Sequence, residues 1–176
     1  MLYRARLRPA CLAAALLIAS PILRAETTTP VRDPLGSHVR GASPAVNTLI
    51  ARGAARSATF KRLLDELNKT DVVVYLETNV ALPVGLEGRL MFLTAAGGVR
   101  YLHAQVTSGL RFEELIAIAG HELQHALEVA AHPRVRDGRG MRALYERIGV
   151  KTGVPDRYDT AEAQSTGRRV RAEMTS

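Results

Sequence analysis

The apolar positions change their period as the chain runs. From residue 43 they recur at helical spacing. Ser43-Pro44 offers an N-cap followed by proline at the first helical position, and Val46, Leu49 and Ile50 predict a short amphipathic helix ending near Gly53. Ser57 can cap a second helix, with Phe60, Leu63, Leu64 and Leu67 on one face and Lys61, Arg62, Asp65 and Glu66 on the other. At Asp71 the period shortens. Residues 72–76 (VVVYL) are continuously apolar and β-branched, which predicts a central strand. Leu82-Pro83-Val84-Gly85 breaks the chain. Residues 86–93 (LEGRLMFL) and 99–106 (VRYLHAQV) predict two further strands, and Ala96-Gly97-Gly98 between them predicts a hairpin turn that makes them antiparallel neighbours.

Helical spacing then returns. Thr107-Ser108-Gly109 ends the sheet and offers an N-cap, with Glu113 and Glu114 placed in the first turn where they suit the helix dipole. Residues 115–129 (LIAIAGHELQHALEV) leave almost no polar face, which predicts a buried helix stopped by His132-Pro133. Gly120 in its middle costs about 1 kcal/mol against alanine; the expected compensation is close contact between helix and sheet. A charged loop over 134–140 leads to a helix marked by Met141, Leu144, Tyr145 and Ile148. Residues 149–155 read as loop, and 160–174 as a last helix anchored by Val170 and Met174. Strands followed by helices make this an α+β chain, a small mixed or antiparallel sheet packed on helices.

Composition adds boundaries. The 176 residues suffice for one domain with a real core, expected over 43–176. Residues 1–25 read as a signal peptide: Arg4, Arg6 and Arg8 form a basic start, and 11–23 (CLAAALLIASPIL) an apolar run too short to span a bilayer comfortably. Cleavage is expected after Ala25, with Leu23 an imperfect residue at the preceding small-residue position. Residues 26–42, rich in Thr, Pro, Gly and charge, read as a linker or loosely held arm. Removing the leader takes away four arginines and no acid, so the formal charge falls from +7 to +3, and it takes the only cysteine. The expected product is an exported protein, periplasmic or extracellular, without disulfides or a membrane anchor. Arg134, Arg136, Arg139, Arg142, Arg168, Arg169 and Arg171 read as a solvated basic face. Few aromatics interleave them, so nucleic acid is not an expected partner.

The chemistry is concentrated in the buried helix. His121, Glu122 and His125 form an H-E-x-x-H pattern. Residues four apart share a helix face, so both imidazoles point the same way and can grip one Zn²⁺ at about 2.0–2.1 Å. Glu122, about 100° round the helix, is placed to hold a water made acidic by the metal and to take its proton, as a catalytic base. Two histidines and two glutamates in such apolar surroundings demand partners or a ligand.

A catalytic zinc takes a third protein ligand. The extension with glycine at 128 and histidine at 131 is excluded, because Glu128 and Ala131 stand there. Glu128 lies one turn beyond His125, too far along the axis for the metal, and reads as support for a ligand or as a partner for an arginine. Asp159 and Glu162, at the start of the last helix, are both open as the third ligand. Equally, Asp159-x-x-Glu162 has the form of an N-cap with its partner carboxylate.

HELQHALEVA, preceded by DVVVYL and followed by YERIG and YDTAEAQSTGRRV, resembles a group of uncharacterised exported bacterial proteins with a zincin-like motif, over roughly residues 57–173. In that group the last helix often begins with an aromatic, an acid and threonine, here Tyr158, Asp159 and Thr160, with aspartate in place of the more usual glutamate. The resemblance thus favours Asp159 over Glu162. It implies a zincin-like fold and a zinc metallopeptidase acting on peptide or protein substrates. The runner-up is a non-catalytic metal-binding or scaffold domain whose site Glu128 or His132 would close. In zincins an edge strand aligns the substrate by main-chain pairing. The expected edge is 99–106, with Tyr101 and His103 on one face as candidates for substrate contact or oxyanion stabilisation, against ordinary strand packing.

Overall fold

The computed structural model describes residues 36–79, 82–151 and 158–176. The leader expected over 1–25, most of the arm, and 152–155 of the expected loop lie outside those residues. Ser43 caps helix α1 (Pro44–Arg56) by accepting from the Val46 N–H, and Ser57 caps α2 (Ala58–Leu67) in the same way through Phe60. Gly53 does not end α1 as its position in the sequence implied. It is buried within the helix, where a Cβ would lie 2.7 Å from Ile116 Cδ1. The glycine is a notch for a neighbouring helix.

Four strands, β1 (Val39–Gly41), β2 (Val72–Asn79), β3 (Gly88–Ala96) and β4 (Val99–Thr107), form a mixed sheet in the order β1-β2-β4-β3. The expected arm therefore contributes a strand, and Val39 is part of the core. The β3–β4 hairpin turns on Gly97 (φ 57) and Gly98 (φ 82), two left-handed residues as a two-residue turn of this hand requires. β2 pairs in parallel with β4 from Val72↔Arg100 to Asn79↔Thr107. That pairing occupies the second side of β4 and corrects the expectation for residues 99–106: β4 is internal, and β1 and β3 are the edges of this sheet.

Helices cover one face of the sheet. Val72, Val74, Leu76, Leu102, Ala104 and Val106 meet Phe60, Leu63 and Leu67 of α2 and Ile116, Leu123 and Ala126 of α3 (Phe112–Ala130). Each fully buried leucine or phenylalanine there contributes about 1.5–3 kcal/mol. α3 begins later than expected. Gly109 (φ 84) turns the chain, Arg111 is the N-cap, and the Glu114 carboxylate accepts the Arg111 N–H at 3.3 Å. The other end of α3 is tied to the sheet by Arg100, which is fully buried. Its guanidinium donates to the carbonyls of Val129 (2.7 Å), Ala130 (3.1 Å) and His132 (3.0 Å), and its Nε to Asp71 (2.9 Å). One side chain thereby supplies donors to carbonyls that a helix C-terminus leaves unpaired.

Asp137 caps α4 (Gly138–Ile148). Beyond it the expected loop holds a strand, β5 (Val150–Lys151), antiparallel to β6 (Tyr158–Asp159), and Thr160 caps α5 (Ala161–Thr175). α5 lies along α3. A Cβ on Gly120 would stand 3.0 Å from Val170 of α5 and 3.6 Å from Phe60. The gap at Gly120 therefore admits a helix, and the sequence-based expectation of a sheet contact is corrected. Among the described residues no helix is long and apolar enough to cross a membrane.

Candidate metal centre

Helical spacing stacks His121 and His125 one turn apart on α3, their rings edge to face with centroids 4.8 Å apart. The β5–β6 ribbon brings Asp159 over them. Gly149 permits this approach: a Cβ there would sit 2.9 Å from Tyr158 Cβ and 3.2 Å from the Asp159 carbonyl. Asp159 Oδ1 stands 3.4 Å from His121 Nε2 and 3.5 Å from His125 Nε2. Ligand atoms held tetrahedrally at about 2.0–2.2 Å from one ion lie about 3.3–3.6 Å apart, so these separations suit a shared cation. All three potential ligand atoms fall within 4.8 Å of one another, and the group could hold a metal ion. Glu162 is exposed in the first turn of α5 and is not part of that group.

Glu128 supports the site from behind. Its Oε2 lies 2.8 Å from His125 Nδ1, and its Oε1 accepts from the Thr160 hydroxyl at 2.6 Å. With Nδ1 so engaged, Nε2 of His125 is left to face Asp159. Thr160 in turn accepts from the Ala163 N–H as the cap of α5. A single chain of hydrogen bonds therefore runs from His125 to the residue next to Asp159. Asp159 is itself fixed, Oδ1 accepting the Thr160 N–H at 2.7 Å and Oδ2 the Gln164 amide at 3.0 Å. His132 points its Nδ1 at the Glu128 carbonyl, 2.7 Å away. The two groups that could have closed the site are thus engaged elsewhere.

Electrostatics follow from burial and this network. Burial pushes the Glu122 carboxyl up to about 7; the charge on His125 opposes the shift and that on Asp159 adds to it. Burial disfavours the charged form of His125, but hydrogen bonds to Asp159 and Glu128 outweigh it and raise the ring to about 9. Burial would likewise raise Asp159, yet hydrogen bonds from His125 and Gln164 hold it at about 2. His121 is lowered, by burial and then by the neighbouring His125 charge.

A cleft of about 700 Å³ opens over His121, His125, Asp159 and Glu122. Edge strand β3 forms one wall through Gly88, Leu90 and Phe92; Met141 and Tyr145 of α4 form another. Gly88 passes directly over Glu122, since a Cβ there would lie 2.6 Å from its Oε1. Tyr145 was legible only as an apolar helix position. Its hydroxyl donates to the His125 carbonyl at 2.9 Å and its ring meets the His125 ring edge on, so it holds α4 against the site. An inward tyrosine with a hydroxyl to satisfy was the available signal.

Tyr101 and His103 do not reach the cleft. They lie on the sheet face turned away from α3, where Tyr101 stacks on Tyr75 with centroids 6.4 Å apart and His103 Nε2 contacts Glu77 at 2.9 Å. Alternation along β4 sends Leu102 and Ala104 to the helices and these two residues to the opposite face. The expectation of substrate or oxyanion contact by Tyr101 and His103 is therefore corrected. No family model matches the chain, and neither a curated protein nor a solved structure matches it.

Proposed function

We propose that this protein is an exported zinc metallopeptidase with a zincin-like fold. The observation that carries this reading is the convergence of His121, His125 and Asp159 on one point, with Glu122 beside them in the wall of an open cleft. Two imidazoles and a carboxylate are a donor set suited to zinc, and Glu128 and His132 are engaged with His125 Nδ1 and the Glu128 carbonyl respectively, so neither adds a fourth ligand among the described residues. Bound there, the metal supplies Lewis acidity and acidifies a water.

The remaining steps belong to the chain. Extended peptide pairs along the free edge of β3 by main-chain hydrogen bonds, which lays its backbone across Glu122. The Glu122 carboxylate accepts a proton from the attacking water and later delivers it to the leaving amine. Tyr145 and Glu128 keep His125 oriented throughout.

The test is Glu122→Gln, assayed for zinc content and for cleavage of a quenched peptide library. Zinc is expected to stay near one per chain while turnover falls by about 10²–10⁴-fold. Equal turnover by parent and variant overturns the role of Glu122. Tight zinc binding with no cleavage by the parent would leave a metal-binding domain in place of an enzyme.

A further inference from the structure

The cleft continues beyond Glu122. A second cavity of about 330 Å³ shares Gly88, His121 and Glu122 with the first but opens on the other side, between α5 and the N-terminal half of α3. The reacting position therefore lies between two arms of different chemistry. The larger arm is walled mainly by apolar side chains of β3 and α4; the two arginines that also line it are engaged, Arg89 with the Gln105 side chain and Arg142 with Glu146. The smaller is lined by Gln164, Arg168 and Arg171, with Glu87 the acid at its rim apart from Glu122 itself.

The basic arm follows from one stripe of α5. Positions 164, 168 and 171 fall on one helix face. At the start of that stripe Gln164 holds the Asp159 carboxylate. At Gly167 the helix passes so close to α3 that a Cβ would lie 3.3 Å from His121 Cβ, which brings Arg168 to the edge of the metal centre. Arg168 is exposed and has no ion-pair partner among the described residues. Arg171 faces Glu114, whose carboxylate is already bridged to Arg111 at 3.3 Å. Glu114 is thus shared between Arg111 and Arg171, which leaves Arg168 as the guanidinium of this arm without an ion-pair partner among the described residues.

We propose that the preferred substrates are peptides carrying a bulky apolar side chain on one side of the scissile bond and an acidic side chain on the other, the acid lying beside Arg168 and Arg171. This rests on the peptidase reading of the site and names the substrate class within it. A pocket lined by leucine, phenylalanine and methionine selects by apolar burial. Arg168, exposed and without an ion-pair partner among the described residues, offers a carboxylate bidentate hydrogen bonds, and Arg171 adds positive charge beside it.

The experiment uses the zinc-loaded Glu122→Gln protein, which binds without turnover, and labelled peptides that differ only in carrying Asp, Asn or Lys on the side away from the apolar residue. Fluorescence polarisation is expected to rank them Asp, Asn, Lys, with about 5-fold between the first two, and the ranking flattens in high salt. Arg168→Glu inverts the order, Arg171→Glu weakens it, and Arg169→Glu, an exposed change outside the arm, leaves it intact. Equal binding of the three peptides, no binding, or a ranking unmoved by Arg168→Glu overturns the proposal. Cleavage of the same peptides by the parent separates the two readings. Cleavage without charge preference sinks the substrate class alone; charge-ranked binding without cleavage sinks the peptidase alone.

Discussion

Replacing Glu128 by alanine removes the acceptor behind His125 without touching a group that meets the metal. In the parent, Glu128 Oε2 lies 2.8 Å from His125 Nδ1 while Oε1 takes the Thr160 hydroxyl at 2.6 Å. Its side chain is only 12% exposed, so water replaces it poorly. Two losses follow. The imidazole is free to rotate or to present the wrong tautomer, and Thr160, the cap next to Asp159, loses its acceptor. Loss of such an outer partner lowers metal affinity about 10–100-fold, equivalent to about 1.4–2.7 kcal/mol at about 1.4 kcal/mol per decade. Glu128→Gln keeps an acceptor for His125 but not the charge, and is expected to lose less than about 10-fold. The assay is competition for zinc against a chelating dye at fixed pH. Because Glu128 and Thr160 act in one network, Glu128→Ala combined with Thr160→Val should cost less than the sum of the two alone. Parent-like zinc affinity in Glu128→Ala would refute the hydrogen-bonded support of His125.

Other perturbations test other links. Arg100→Met strands Asp71 and the carbonyls at the end of α3 and should lower stability by about 3 kcal/mol, given that Asp71 stays partly hydrated; a change in denaturation midpoint worth under about 1 kcal/mol would contradict it. Gly88→Ala places a methyl 2.6 Å from both Glu122 Oε1 and Ile118 Cγ2. Zinc content should hold while kcat falls by about 10²-fold, and unchanged kcat would show that β3 yields freely. In chelator, the metal-free protein should lose stability as pH rises through neutrality. Glu122, raised to about 7, keeps its proton longer in the folded state, and the stability from His125 is complete below its unfolded value and lost as pH passes about 9. Asp159 acts in the opposite sense, its contribution being lost as pH falls toward about 2. Thermal melts that climb steadily from pH 5 to 9 would reverse these signs.

Much of the secondary structure was legible because it depends on neighbours in the chain. Ser43 and Ser57 cap helices through N–H groups three residues on, and Gly97-Gly98 allows the left-handed turn that pairs β3 with β4. The His121–His125 spacing needs only a helix. The edge strand was misplaced because edge status depends on what lies beyond β4. That is β2, brought alongside by a parallel pairing no local pattern encodes. Alternation along β4, with Leu102 and Ala104 turned to the helices, put Tyr101 and His103 on the face away from the cleft.

Local spacing and hydrophobic period, read from the chain alone, determined a buried helix carrying two imidazoles and a carboxylate, the hairpin before it, and two acids competing for the third place. Only the tertiary structure decided between those acids. Asp159 reaches the histidines through the β5–β6 ribbon and the crossing of α5 on α3, whereas Glu162, one turn further along, points to solvent. Helix periodicity acts over a few residues and is written in the sequence; the meeting of distant segments depends on packing of the whole core, and no window of the chain contains it.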